Sequence, residues 1–139
     1  MSEENVIRAA IENTLNRYTL AVDDRDLAGV LDCFTENAPF SIRIAGGDLI
    51  GPFAGHAGIG TLMQESFASQ QDLRRHVSTN LVVRRATSEA AEVETYLTLY
   101  SIDQGVLRLV ATGRYRDRMV YQNGHWRIGN RHLDLDLPY

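Results

Sequence analysis

Lysine is absent from this sequence, and all fourteen basic residues are arginines. Schiff-base catalysis and phosphate binding by a P-loop both depend on a lysine, so the composition excludes both. The sequence also contains no G-x-G-x-x-G motif that could bind a dinucleotide. We therefore expect a protein that works without a cofactor.

Cysteine is almost absent as well. A lone Cys33 allows neither an internal disulfide nor a multi-cysteine zinc site, and its apolar neighbours predict a small buried residue. The four histidines show no H-x-H, H-x-x-x-H or H-E-x-x-H spacing. The sequence therefore predicts no metal site.

Long apolar runs are missing too. A membrane-spanning helix needs about twenty consecutive apolar residues, and a secretion signal needs a basic and then apolar N-terminus. The sequence shows neither pattern. With a net charge of −4 it is also unlike a general nucleic-acid binder. We expect a cytoplasmic protein that does not bind membranes or nucleic acids.

The 139 residues predict a single domain over 1–139, with helices in the first half and strands in the second. The expected class is α+β, a cone-shaped barrel in which three N-terminal helices pack on a strongly curved, mainly antiparallel sheet. The predicted helices are 3–22, one that Asp26 caps, and 56–68. The predicted strands are 40–44, 49–50 (ended by Gly51-Pro52), 75–83, 89–102, 106–121 and 125–135.

Two stretches carry the candidate chemistry. In the strand 75–83, Val77, Thr79, Leu81 and Val83 alternate with His76, Ser78 and Asn80, which predicts one apolar face and one polar face. Three polar groups on one face favour a cavity. At the end of the first helix, Asp23 lies at the edge of the buried face, where its carboxylate could orient the His76 imidazole.

His76 is the best candidate for a general acid and base, because an imidazole changes charge near neutral pH. From the residues alone, a histidine that merely hydrogen-bonds a core carboxylate is the favoured interpretation. For Tyr18 two interpretations are equally favoured: its hydroxyl donates to a substrate oxygen, or its ring packs in the core.

The last strand offers one more candidate for the site. Asn130 shares its alternation with Trp126 and Ile128, so we expect it to point inward and bind substrate. Arg131 and Arg127 have the opposite parity and are expected on a solvated face. We also expect Arg114, Arg116 and Arg118 to face solvent or a second subunit, and His132 to be structural or exposed.

The order of elements and four motifs resemble the SnoaL-like branch of the nuclear-transport-factor-2-like superfamily. The motifs are A-V-D-D-R-D-L from residue 21, H-V-S-T-N from residue 76, G-R-Y-x-D from residue 113 and G-H-W-R-I from residue 124. In dehydratases and a dehydrochlorinase of that branch, an aspartate ending the first helix pairs with a histidine on the first long strand. By matching motifs, Asp23 and His76 correspond to that pair, Tyr18 to a tyrosine five residues earlier, and Asn130 to a pocket asparagine.

This resemblance favours the catalytic interpretation of His76. We predict a cofactor-independent lyase of the dehydratase type, acting on a small hydrophobic or polyketide-like carbonyl compound. An isomerase or cyclase that uses the same pocket, and a non-enzymatic ligand-binding or dimerisation module, are the alternatives. A second catalytic histidine and the dehydrochlorinase's lysine have no counterpart here. The outer sheet face suggests a homo-oligomer, either dimer or trimer.

Overall fold

The computed structural model describes residues 2–139. Three helices and six strands follow one another along the chain. The helices are α1 (Glu3–Asp23), α2 (Leu27–Asp32) and α3 (Gly55–Ser69), and the strands are β1 (Pro39–Ile44), β2 (Ile50–Ala54), β3 (Leu73–Ala86), β4 (Ala90–Asp103), β5 (Val106–Gln122) and β6 (His125–Leu135).

The long helix α1 begins at a serine cap, where Ser2 Oγ accepts a hydrogen bond of 3.2 Å from the Asn5 N–H. Its inward stripe of Ile11, Leu15 and Tyr18 is buried against the sheet. Asp26 caps α2 in the same way through the Gly29 N–H. No helix in residues 2–139 combines the length and the apolar character that crossing a membrane requires.

The six strands form one sheet in the order β2-β1-β6-β5-β4-β3. All neighbouring pairs are antiparallel except β1 with β6, which are parallel. The helices cover the inner face of this sheet, and the predicted α+β cone is confirmed. Several boundaries differ from the prediction. β3 runs from Leu73 to Ala86 rather than over 75–83, and β2 continues through Gly51 and Pro52 to Ala54, although glycine and proline predicted its end there.

β-Bulges interrupt the alternation of the long strands. On β3, Asn80 adopts a left-handed backbone (φ 59°), and Asn80 and Leu81 lie opposite the single residue Thr95. On β6, Gly129 is the extra residue between the pairs Arg118–Asn130 and Met119–Ile128. Beyond each bulge the side chains exchange faces, so an alternation counted from one end of the strand fails at the other.

On β3 the bulge makes the predicted assignment of faces wrong in part. His76 and Ser78 do share the inner face, but Asn80 is exposed, and Leu81 and Val83 lie on the inner face with them. Val77, which its alternation places on the apolar face, is 38% exposed. Cys33 is fully buried, as predicted.

Candidate active site

An arginine holds together the three segments that meet at the candidate site. Arg25, in a left-handed backbone (φ 56°) directly after α1, donates to the carbonyl oxygens of Phe67, Gln70 and Asp72 at 2.8, 2.5 and 3.2 Å. These carbonyls belong to the end of α3 and the connection to β3. The end of α1 and the beginning of β3 are therefore held side by side.

At this junction Asp23 and His76 come together. The Nδ1 atom of His76 lies 2.6 Å from Asp23 Oδ1, and the His76 backbone N–H donates to Asp23 Oδ2 at 3.0 Å. The Asp23 and His76 side chains are 6% and 16% exposed. Because the carboxylate accepts from both the backbone and the ring, it fixes the orientation of the imidazole and places the ring proton on Nδ1.

The second ring nitrogen, His76 Nε2, has no hydrogen-bond partner among residues 2–139. It is not among the fully buried polar atoms, so it keeps some exposure to solvent. Its lone pair is therefore available to take a proton from a bound molecule. On the inner face, the cross-strand neighbour of His76 is Leu99, and Ala111 lies opposite Leu99. Both are buried, so the inner face of the sheet level with His76 is apolar on β4 and β5.

Tyr18 lies deeper, five residues before Asp23 on α1, which corresponds to about 7.5 Å along the helix axis. It is buried, and its ring makes edge contacts with Phe34 and Tyr115 at centroid distances of 5.7 and 6.5 Å. Burial raises the pKa of Tyr18, while the neighbouring guanidinium of Arg131 opposes the shift. Its hydroxyl therefore stays protonated at neutral pH and can act as a donor.

Arg131 is in the core, and the prediction of a solvated face for it is wrong. Its side chain is 1% exposed, its Nε and Nη2 atoms donate to the two carboxylate oxygens of Asp117 at 2.8 and 3.1 Å, and Asp117 is fully buried. The guanidinium carbon lies 3.6 Å from the ring centroid of Tyr115 and 4.5 Å from that of Tyr18. Burial alone would lower the pKa of Arg131, but Asp117 keeps it above its ordinary value.

Asn130 is exposed on the outer face of the sheet, so the predicted inward orientation is wrong. The bulge at Gly129 exchanges the two faces: Ile128 points inward, Asn130 outward and Arg131 inward again. A glycine inside a strand is itself a bulge signal, and it was the one hint in the sequence. A Cβ atom at Gly129 would lie 2.7 Å from a methyl carbon of Val120, so a larger residue there would force Val120 to shift.

Two buried polar atoms lack a partner among residues 2–139, and both border Tyr115. They are Arg131 Nη1, on the guanidinium stacked on the Tyr115 ring, and Thr95 Oγ1, on the cross-strand partner of Tyr115. We call Arg131, Thr95, Tyr18 and Tyr115 the inner polar cluster. Burial raises the pKa of Tyr115 well above its ordinary value, so this phenol also stays protonated.

The other features that could mark a site lie away from Asp23 and His76. His132 is half-buried on the outer face, between Ser41 Oγ at 2.7 Å and Asp134 Oδ1 at 2.9 Å, as expected of a structural histidine. A groove of about 660 Å³ separates the first turn of α1 from the end of β3 and does not include Asp23 or His76. No group of three histidine, cysteine or acidic residues that could hold a metal ion occurs within residues 2–139.

The family model of the SnoaL-like domain matches residues 4–132, so this chain belongs to the SnoaL-like family, as the motifs predicted. A Novosphingobium aromaticivorans protein described as NTF2-like with a cystatin-like fold shares the fold, at 18% identity and a TM-score of 0.78, covering 92% of this chain and 80% of its own. No curated protein matches the sequence.

Solved structures share the fold. The Rv3472 protein of Mycobacterium tuberculosis, of unknown function, is 24% identical with a TM-score of 0.83, covering 96% of this chain and 74% of its own. A Novosphingobium aromaticivorans protein, provisionally described as an aromatic ring hydroxylase, is 28% identical with a TM-score of 0.76, covering 94% and 90%. A Catenulispora acidiphila protein in complex with S-DNPA is 20% identical with a TM-score of 0.81, covering 95% of both chains.

Proposed function

We propose that the protein is a cofactor-independent lyase that removes water from a small, hydrophobic carbonyl compound. The observation that carries the proposal is the contact of 2.6 Å between His76 Nδ1 and Asp23 Oδ1, which leaves Nε2 free. Leu99, the buried cross-strand neighbour of His76, and Ala111, opposite Leu99 on the next strand, favour an apolar substrate. The relative crystallised with S-DNPA supports the binding of a small molecule in this fold.

The proposed reaction is an elimination in which every proton is accounted for. His76 Nε2 takes a proton from the carbon next to the carbonyl, and the carbonyl oxygen gains negative charge. The imidazolium formed is stabilised by Asp23. The Nε2 proton then passes to the hydroxyl on the next carbon, the C–O bond breaks, and a conjugated carbonyl compound and water are released. Tyr18 is the proposed donor to the carbonyl oxygen.

An isomerase or cyclase would use the same first step, because proton abstraction by His76 gives the same enolate. The two outcomes differ in the mass of the product: elimination lowers it by one water, whereas isomerisation leaves it unchanged. Asn130, on the outer face of the sheet, is not part of the proposal. A homodimer or trimer that forms through the outer sheet face stays a prediction.

The proposal can be tested with the aldol adduct of benzaldehyde and acetone, a β-hydroxy ketone whose dehydration product absorbs in the near ultraviolet. His76→Ala and Asp23→Asn are compared with His125→Ala and Asp24→Asn, which change exposed residues of the same types. General acid–base catalysis contributes about 10²- to 10⁴-fold to the rate, so we expect a loss of this size in kcat for the first pair only. Mass spectrometry of the product distinguishes elimination from isomerisation.

A His76→Ala protein as active as the unmodified protein would rule out the lyase and the isomerase together. Tight binding of the ketone without turnover, unchanged by Asp23→Asn, would show a binding module instead. Turnover that gives a product of unchanged mass would replace the lyase with an isomerase.

A further inference from the structure

We propose that Ser41 is a nucleophile that takes an acyl group from aryl esters, with His132 as its general base. Ser41 lies on β1 and His132 on β6, both on the outer face of the sheet, whereas His76 lies on the inner face. The hydrogen bonds that hold His132 in place are also those that a reactive serine needs. This second site shares no residue with the proposed lyase and does not depend on it.

Three side chains form one chain of hydrogen bonds. Ser41 and His132 are register partners on the two parallel strands. Ser41 Oγ lies 2.7 Å from His132 Nδ1, and His132 Nε2 lies 2.9 Å from Asp134 Oδ1. Because Asp134 follows two residues after His132 on β6, strand alternation places it on the same face. The geometry joins a hydroxyl, an imidazole and a carboxylate in the order that an activated serine requires.

Asp134 determines which ring nitrogen carries the proton. Burial raises the pKa of Asp134, but the hydrogen bonds from His132 and Arg116 outweigh burial and hold that pKa below its ordinary value. An ionised carboxylate can only accept hydrogen bonds, so the proton of the neutral His132 ring lies on Nε2. The lone pair of Nδ1 then accepts a hydrogen bond from the Ser41 hydroxyl. These are the roles of a Ser-His-Asp triad, with the two ring nitrogens exchanged.

The three groups are open to a reactant, and a groove lies beside them. The His132 and Asp134 side chains are 24% and 35% exposed, and Ser41 is half-buried. A groove of about 650 Å³ on the outer face runs from Asp134 on β6 over β5 to β4. β1, which carries Ser41, is the next strand to β6, about 5 Å away. An ester at Ser41 can therefore place its leaving group at the near end of this groove, where the exposed guanidinium of Arg116 can stack on an aromatic ring.

The surroundings of Ser41 limit the acyl donor. Ser41 Oγ has no hydrogen-bond partner within residues 2–139 other than His132. The next cationic side chain along this face of β1, Arg43, donates to the carbonyl oxygen of Gly47 at 2.9 Å in the turn that follows the strand. Cleavage of amides depends on preorganised donors for the developing oxyanion. We therefore expect reaction with esters whose leaving group is a weak base, such as a nitrophenolate, and none with the corresponding amides.

Two steps return the serine to its starting state. In the first, Ser41 Oγ forms a bond to the carbonyl carbon, its proton passes to His132 Nδ1, and the bond from the carbonyl carbon to the aryl oxygen breaks. Asp134 stabilises the imidazolium, which then gives its proton to the aryloxide or to solvent. In the second step, His132 takes a proton from water, the water oxygen bonds to the acyl carbon, the bond to Oγ breaks, and the proton returns to Oγ. The products are a phenol and a carboxylic acid.

The test uses para-nitrophenyl acetate, whose released nitrophenolate absorbs visible light. The chain contains no lysine, so the side-chain amines that this ester acetylates in other proteins are absent. We expect a rapid phase that releases as much nitrophenolate as there is protein, and peptide mass spectrometry should place the acetyl group on Ser41. The amide of the same acyl group, para-nitroacetanilide, should stay intact.

Variants test the two roles separately. Ser41→Ala should abolish the rapid phase. His132→Gln should slow it at least about 100-fold, since general base catalysis contributes about 10²- to 10⁴-fold. Ser88→Ala and His125→Ala, which change exposed residues of the same types, should leave it unchanged. Urea denaturation verifies that each variant is folded.

No acetylation, acetylation only at residues other than Ser41, or a rapid phase that survives Ser41→Ala or His132→Gln would overturn the inference. Mapping of the acetyl group uses the unmodified protein, so it tests Ser41 without any variant. Cleavage of the anilide would overturn the assignment to aryl esters. The lyase is tested on the β-hydroxy ketone instead, so either proposal can fail while the other holds.

Discussion

Two of the pairs that join a basic side chain to a carboxylate differ in depth. Asp23 and His76 lie where α1 meets β3, with one ring nitrogen free and side chains 6% and 16% exposed. Asp117 and Arg131 lie in the interior, with both carboxylate oxygens engaged and exposures of 0% and 1%. A bound molecule can therefore contact the first pair. The second is a fixed part of the core.

The largest effect is expected from breaking the interior pair. Arg131→Met leaves the Asp117 carboxylate buried without a counter-charge. We expect this change to lower the free energy of unfolding by about 3–5 kcal/mol. Adding Asp117→Leu should recover most of the loss, because two apolar side chains need no compensation. Urea denaturation of the two variants measures both values. An Arg131→Met protein as stable as the unmodified one would show that the pair is not buried in solution.

The bulge that places Arg131 inside the cone can be tested at Gly129. A Cβ atom there would meet Val120 at 2.7 Å, so Gly129→Ala should destabilise the fold by about 1–3 kcal/mol through overpacking. Combining it with Val120→Ala should relieve part of the cost in a double-mutant cycle. Gly60→Ala is the control, since its new methyl group would meet only Leu31, at 3.9 Å, and it should be neutral or stabilising.

A third expectation concerns the phenols around the interior pair. Burial raises the pKa of Tyr18 and Tyr115 above the unfolded value of 10.0, so the folded protein holds these protons more tightly. Their contribution to stability is complete below pH 10 and is lost as the pH rises above it. In an ultraviolet titration, the phenolate absorbance of these two tyrosines should appear together with unfolding. Ionisation of all six tyrosines in the native state would contradict their burial.

The smallest effect on stability is expected at the outer pair. In His76→Ala, Asp23 keeps its 3.0 Å hydrogen bond from the backbone N–H of residue 76, and water can reach the carboxylate through the space that the imidazole leaves. We expect a change in the free energy of unfolding below about 1 kcal/mol, since only one partly exposed contact is lost. A loss comparable to that of Arg131→Met would show that the outer pair is structural.

Sequence periodicity predicted the elements well because each depends on local patterns. The Asp26 cap and the predicted ranges of the helices and strands depend on residues that lie a few positions apart. The alternation on β3 and β6 was correct only on one side of each bulge. The failure therefore fell on Asn80, which lies in the bulge of β3, and on Asn130 and Arg131, which follow the extra residue of β6.

The residues around the candidate site were likewise predicted only in part. Asp23 and His76 were identified from motifs, and the structure brings them together, although their catalytic role is a prediction. The inner polar cluster had no sequence signal except Gly129, because a strand arginine next to polar residues is ordinarily exposed.

By itself the sequence determined the α+β class, the position of the helices and strands, the capping residues and the family of this protein, since these follow from spacing along the chain and from motifs. Only the tertiary structure decided which side chains face inward beyond a bulge. One extra residue in a strand reverses every later side chain, and whether that residue forms a bulge depends on the neighbouring strand.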